Sequence, residues 1–404
     1  MTLNKSAPNN NIKFIQLKLN EFSDFNHVLK KRTHNSISSN KDIQNVIIKN
    51  NDYYEYDNPF CPVCASYKII KQGNRSRIVN FPNSHKHEIF LKKYQCTDCG
   101  KYFQTELIGL LDKFKNYTAD FKENVCEILK KGHQKCRNLT HIFSTMWESA
   151  PSHQTIKNWI KRGENKRIKN NIGIISGYYS YDEEYLRIKG KKAYRLTLFD
   201  SIFNYPVSEQ ISYNLKSKTI KEFLEYSFDN IPVESISTDL MPKYKNIMGE
   251  LDVNHQLCIF HFMQAVTIIK EKELKKYPDD EIEQERIQKE CGDLQDIFRA
   301  KNLNECIKWY ISFLDHLTPD REYIYTFVEK NVKKNFLNLI QHYFDPLQER
   351  TNNKIETYYK QTDPDHIKKK YKTSSGLLDF LHLKMEYMTE KSIKELDENY
   401  LTNF

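Results

Sequence analysis

Between Tyr178 and Ile259 the apolar residues change period so often that few folds can accommodate the stretch. Alternation with β-branched and aromatic residues predicts strands at Tyr181 to Ile188, Ala193 to Phe199 and Tyr205 to Ile211. Lys189-Gly190-Lys191 and Asp200 to Asn204 supply the hairpin turns between them. A helical stretch, Thr219 to Phe228, leads into a fourth strand, Val233 to Asp239. A short amphipathic helix at Lys243 to Met248 and a brief strand at His255 to Ile259 complete the series. The class is α/β, within an α+β multidomain chain, and the order β-β-β-α-β-α-β predicts a mixed sheet.

That order is the one of an RNase H-like fold. It would put Asp182 on the first strand and Asp239 at the end of the fourth, side by side despite 57 residues of separation. A third acid, Glu356, opens a helix after Thr351-Asn352-Asn353. Phosphoryl-transfer sites that use two divalent ions need oxygen ligands from several elements, because the ions sit about 3.5–4 Å apart around the reacting phosphate. Hard ions such as Mg²⁺, or Mn²⁺ in its place, choose carboxylates for that task. The three acids therefore point to a nucleic-acid strand-cutting or strand-joining enzyme. Each also has a plainer reading. Asp182 would be an edge-strand charge, Asp239 a turn residue before Leu240-Met241-Pro242, and Glu356 half of a capping box with Asn353. Asp200, at another strand end, is the first substitute.

The interval from Asp239 to Glu356 spans 117 residues, too long for one helical connection. Its pattern gives consecutive helices at Met263 to Lys272, Glu281 to Ala300, Asn304 to Leu314, Arg321 to Lys330 and Asn335 to Phe344. We read an all-helical insertion over 262–346, dividing the catalytic domain into 175–261 and 347–390. Trp309 lies in the insertion, either as a core residue or as a platform for an unpaired base.

Upstream, Cys61-Pro62-Val63-Cys64 and Cys96-Thr97-Asp98-Cys99 are two C-x-x-C knuckles, and Gly100 supplies permissive backbone after the second. Four thiolates suit a closed tetrahedral Zn²⁺ site. Strand-like Tyr67 to Lys71 and Phe90 to Gln95 flank them, so 58–105 reads as a zinc ribbon with a 31-residue loop, 65–95, between the pairs. His85 and His87, within that loop, are alternative ligands. The residues before it, 1–50, are rich in Asn, Lys and Ser and predict a poorly ordered leader with at most a short helix.

Between 116 and 168 the pattern is helical. Ser152 follows Pro151 as an N-cap, Ile156, Trp159 and Ile160 form a buried stripe, and Gln154, Lys157, Asn158, Lys161 and Arg162 face outward. This is the outline of the second helix of a helix-turn-helix, whose outward residues enter a DNA major groove. Any small basic three-helix bundle would look similar. Charge favours DNA: residues 101–170 hold 14 Lys/Arg against 7 Asp/Glu, within a chain of net charge +9.

At these residues the chain resembles the DDE transposases of prokaryotic insertion sequences, in the broad Mutator-like group. The match rests on Asp182-Glu183-Glu184-Tyr185 with Lys189-Gly190-Lys191-Lys192 after it, then Thr238-Asp239. His255-Gln256-Leu257-Cys258-Ile259-Phe260-His261 looks like that group's C-x-x-H motif, and Thr351-Asn352-Asn353-Lys354-Ile355-Glu356 like its final glutamate motif. The resemblance covers about 58–385. It implies that Asp182, Asp239 and Glu356 hold two Mg²⁺ (or Mn²⁺) ions, that the enzyme cuts at element ends, and that the freed 3′-hydroxyl is joined to target DNA. It implies also a homodimer or larger synaptic complex, and Cys258 and His261 as candidate accessory residues. Two other readings stand beside it: a catalytically inactive DNA-binding protein, and an RNase H-like nuclease without strand transfer.

No G-x-x-x-x-G-K-[ST] loop is present, so ATP is not expected to take part. No apolar run approaches the ~20 residues of a membrane span, nor does the N-terminus look like a signal peptide. A cytoplasmic protein with reduced thiols is expected, its nine cysteines metal ligands or core residues.

Overall fold

The structure, a computed structural model, describes residues 44–401 apart from 49–51, 83–85, 114, 133, 147–149, 162–165, 171–173, 364–367 and 369–370. These fall into two compact units, one of residues up to 128 with 134–159, the other of 129–133 with 160 onward. No helix among the described residues is long and apolar enough to cross a membrane.

In the first unit a five-stranded sheet comprises β1 (Val46–Ile48), β2 (Tyr53–Tyr56), β3 (Ile69–Asn80), β4 (Lys86–Cys96) and β5 (Tyr102–Gln104). Most of the expected leader lies outside the described residues, but its last part supplies β1, which pairs with β2. The expected loop between the knuckles is instead a long antiparallel hairpin of β3 and β4, running from Ile69↔Cys96 to Asn80↔Lys86. Its polar middle, Gln72-Gly73-Asn74-Arg75-Ser76, shows no alternation, and a register shift between Lys71 and Asn74 absorbs Gly73. Tyr54, Val79, Ile89, Leu91 and Tyr94 form the core.

Three helices follow: α1 (Ala119–Lys131), α2 (Cys136–Met146) and α3 (His153–Ile160). Phe121 of α1 meets Phe143 of α2 and Trp159 of α3 at ring-centroid distances of 6.3 and 6.1 Å. Ser152 caps α3, its Oγ accepting from the Thr155 amide at 3.1 Å.

The second unit is built on a six-stranded sheet of β6 (Arg167–Lys169), β7 (Tyr178–Ile188), β8 (Lys191–Asp200), β9 (Tyr205–Ser212), β10 (Ser235–Thr238) and β11 (Asn254–Leu257). The spatial order is β11-β10-β7-β8-β9-β6. β7, β8 and β9 form an antiparallel meander, while β10 and β11 run parallel to β7. This is the RNase H-like arrangement, with β6 added at the edge from residues read above as part of the helix-turn-helix. Helices α4 (Ser217–Phe228) and α5 (Pro242–Leu251) cover one face through Tyr179, Tyr181, Leu198 and Ile236 against Phe223, Leu224, Tyr244 and Ile247. The other face carries α11 (Asn353–Thr362) and α12 (Ser374–Leu401), which pack Ile355, Tyr358, Leu381 and Met385 on Phe199, Leu186, Ile188 and Ala193. α12 runs beyond the expected end at 390.

Between β11 and α11 come α6 (Ile259–Leu274), α7 (Glu281–Ile297), α8 (Leu303–His316), α9 (Glu322–Phe327) and α10 (Lys333–Leu339), with one π-helical turn, Val328–Val332, joining the last two. Their shared core includes Phe262, Val266, Ile287, Leu294, Ile324 and Val332. The first helix starts at Ile259, four residues before the expected Met263. The strand expected at His255 to Ile259 is therefore cut short after Leu257, because Cys258 takes extended backbone and caps α6.

Candidate active site

Side chains alternate across a strand, so the odd residues of β7 face α4 and α5, and the even ones face α11 and α12. Asp182 is even and shares its face with Glu184, whereas Glu183 points the other way, held by the Tyr181 hydroxyl at 2.8 Å and by the Tyr244 hydroxyl. That separates the doubled glutamate from its neighbour: of the three adjacent acids, one belongs to each of three environments. β10 pairs with β7 through Ser235↔Tyr178, Ile236↔Tyr179 and Ser237↔Ser180. The pairing ends there, two residues short of Asp182 and Asp239, and the charges of Asp239 and Glu356 both act on the Asp182 carboxyl. Asp239 is the first residue past β10 and accepts the Met241 amide at 2.9 Å.

Glu356 comes from the first turn of α11, above that face. Asn352, not Asn353, is the N-cap and makes no side-chain cap bond, so the plainer reading of Glu356 as half of a capping box with Asn353 does not hold. Burial, then the charges of Glu183, Asp239 and Glu356, lift the Asp182 carboxyl to about 7, although the Glu183 amide donating at 2.8 Å opposes them. Burial also raises Asp239, with the Met241 amide, His261 and Lys243 pulling the other way. Two neighbouring carboxylates that resist ionisation are a site short of positive charge, and an oxygen-only donor set fits a hard divalent cation.

Cys258 and His261 find separate places. The Cys258 amide donates to the Thr238 carbonyl at 2.8 Å, and its Sγ accepts the Asn352 amide at 3.3 Å. The cysteine thus ties the end of the Asp239 strand to the start of the Glu356 helix. His261, in the first turn of α6, sets Nε2 3.6 Å from Glu356 Oε1. Asp200 is fully buried and accepts the Ser176, Ile202 and Phe203 amides at 2.8, 3.0 and 2.8 Å, so it closes its own turn and leaves the site to the other acids.

A network that the sequence reading missed holds α11 in position. Arg195 of β8, wholly buried, donates to Glu209 at 3.1 Å, to Glu184 at 3.3 Å and to Thr362 of α11 at 2.8 Å. Its guanidinium lies 4.8 and 5.0 Å from the rings of Tyr358 and Tyr359. Tyr358 donates to Glu209 at 2.8 Å, and Tyr359 to the Asp182 carbonyl at 2.8 Å. The signal was a lone charge inside Tyr194-Arg195-Leu196-Thr197-Leu198-Phe199, which only a buried partner could satisfy.

In the first unit Cys61, Cys64, Cys96 and Cys99 place their sulfurs within 4.8 Å of one another, with Cys61–Cys99 at 3.5 Å and Cys64–Cys96 at 3.6 Å. A tetrahedron of 2.3 Å Zn–S bonds has edges of about 3.8 Å. Each knuckle closes with an amide at its fifth residue donating back to the first cysteine, from Ala65 (φ 58°) to Cys61 and from Gly100 (φ 73°) to Cys96. Burial works against a charge on Cys61, yet the amides of Cys64 and Val63 and the neighbouring thiols bring it down to about 6. The cluster is compatible with zinc. Among the described residues it is the one group of three or more such side chains gathered this tightly; the three acids are set wider. His87 sits at the far end of the hairpin, 3.7 Å from Asp52, and is not a ligand, while His85 lies outside the described residues.

On α3, Gln154, Lys157 and Asn158 are exposed and Lys161 follows them, also exposed, while Ile156 and Ile160 are buried; Arg162 is outside the described residues. Trp309 is 38% exposed and lines a 650 Å³ cavity of the helical insertion with Phe313, His316, Lys289 and Arg286.

Sheet order and crossing helices define an RNase H-like domain, preceded in the chain by a four-cysteine cluster compatible with zinc. No protein-family model matches the chain. The 48.3 kDa protein of insertion element ISM1 from Methanobrevibacter smithii is 36% identical over 395 residues, 97% of this chain and 98% of that protein. The chain belongs to the same family of insertion-element proteins, as the resemblance in its motifs leads one to expect. Among solved structures, the Drosophila P element transposase strand transfer complex aligns at 9% identity and TM-score 0.27, over 71% of this chain and 82% of that one. The simian T-cell lymphotropic virus intasome in complex with PP2A regulatory subunit B56 gamma aligns at 11% and TM-score 0.20, over 39% and 61%. TM-scores this low carry no argument about this chain.

Proposed function

We propose that the protein is a DNA transposase that cuts at the ends of its element and joins the 3′-hydroxyl to target DNA. The observation that carries this reading is the parallel pairing of β10 with β7, which supports a shared site for Asp239, just past β10, and Asp182 on β7, with Glu356 in the first turn of α11. Asp182, Asp239 and Glu356 would hold Mg²⁺ or Mn²⁺. Such ions supply Lewis-acid stabilisation of charge on the phosphoryl oxygens and ease deprotonation of the attacking hydroxyl or water.

The chain's own residues do the rest. Cys258 and the Arg195 network fix the spacing between the strand acids and the helix acid. His261, beside Glu356, is placed to donate a hydrogen bond to a phosphate oxygen. The exposed face of α3, with Gln154, Lys157, Asn158, Lys161 and Arg162, would read the element end in the major groove. The four cysteines would hold structural zinc, and pairing of two element ends would require a dimer or larger assembly.

Asp239→Ala should lower strand cleavage by at least 10³-fold, on the order expected when a metal ligand is lost from such a site, while DNA binding stays within about twofold. A variant that cuts as well as the parent removes Asp239 from the site. Supplying DNA already cut to a free 3′-hydroxyl separates the readings: a transposase joins it to a target, and a plain nuclease leaves it unjoined.

A further inference from the structure

The run Lys189-Gly190-Lys191-Lys192 follows the first acid on the same hairpin, and the chemistry above leaves it unused. Lys189 (φ 49°) and Gly190 (φ 76°) form the two-residue turn between β7 and β8, both left-handed. Asn or Gly serves at such a first position with little strain, whereas a lysine there is strained. The turn is also anchored, since the Lys189 amide donates to the Tyr371 carbonyl at 2.9 Å and Ile188 bridges to Tyr371. That anchoring brings Lys372 beside the turn. Lys189, Lys191, Lys192 and Lys372 line a 660 Å³ cavity together with Tyr213 and Ser374, and no acid among the described residues lines it.

Lys189, Lys191 and Lys372 have no carboxylate partner among the described residues. Lys192 lies instead over the rings of Tyr185 and Tyr194, at 5.6 and 5.1 Å. The first turn of α12 opens on the same cavity and adds the partial positive charge of a helix N-terminus. Four like charges held together without counter-charge repel one another, and a polyanion relieves that repulsion.

Position argues for which polyanion. Along β7 the cavity begins at Ile188, six residues from Asp182 and about 20 Å away at ~3.3 Å per residue. Successive phosphates of one DNA strand are spaced about 3.4 Å along the duplex axis. We propose that the lysine cavity grips the phosphate backbone of the bound duplex about six nucleotides from the phosphate being cut. This rests on the reading of the acids as a DNA-cutting site.

The test uses the full chain, with duplex DNA carrying the element end, titrated with KCl. Each lost phosphate contact reduces the slope of log K against log salt by about 0.9. The triple variant Lys189→Gln/Lys191→Gln/Lys372→Gln should therefore lose about 2.7 from the slope, and the corresponding Lys→Arg triple should keep it. Phosphate ethylation near the sixth nucleotide from the cut should weaken binding of the parent and leave the Gln triple unaffected. All three lysines are exposed, so the variants should melt with the parent. If the parent binds and cuts DNA while the Gln triple keeps the full slope, the cavity assignment is overturned and the active-site reading survives. If the parent neither binds nor cuts the duplex, both fall together.

Discussion

Asp182 carries the largest electrostatic load of the three acids, and that makes it measurable. Its carboxyl sits at about 7, mainly through burial, so in the ion-free fold it is about half protonated at neutral pH. A divalent ion favours the ionised form, and binding should therefore expel protons near pH 7 and almost none at pH 9. Mg²⁺ titration by calorimetry in two buffers of different ionisation enthalpy reads this directly; identical heats in both buffers at pH 7 would sink it. The same shift sets a sign for stability. A carboxyl raised from 3.8 stabilises the fold fully below that value, and the contribution is lost as pH rises through about 7, so Mg²⁺ should flatten the decline. Asp182 was legible in the sequence because an acid among strand aromatics is unusual. Its expected place beside Asp239 came from the order of elements along the chain, since parallel register itself is decided by tertiary packing and leaves no local mark.

At the level of elements, the meander was readable from alternation and turn chemistry, and the inserted helices from their apolar stripes. β3 was not, because Gln72 to Ser76 is polar on both faces and is held by main-chain pairing to β4. The start of α6 was misplaced because the apolar run Leu257-Cys258-Ile259-Phe260 fits strand and helix equally. The setting of α11 was also invisible, since it depends on Arg195, Glu209 and Thr362, which are distant in sequence. Arg195→Met should leave Glu209 buried without its cation and destabilise the fold by about 3–5 kcal/mol. Arg195→Met/Glu209→Leu should regain much of that loss. Urea unfolding of the three proteins checks it, and a single variant losing under about 1 kcal/mol would show that the pair does not hold α11 down.

For the molecule as a whole, two compact units and one thiolate cluster predict two unfolding transitions with different sensitivities. A strong chelator, or Cys61→Ser/Cys96→Ser, should remove one zinc per chain and abolish the first unit's transition, because structural zinc supplies on the order of 10 kcal/mol or more to such folds. The second unit's transition should stay where it was; calorimetric scans with metal analysis decide, and a single shared shift would contradict the division. The inserted helices have a consequence of their own. The Ile259 amide and the Arg350 carbonyl stand 2.8 Å apart, so the polypeptide leaves the central sheet and returns to it through one doorway. Whatever hangs outside that doorway can be lengthened, trimmed or exchanged over generations while the chemistry within keeps its spacing.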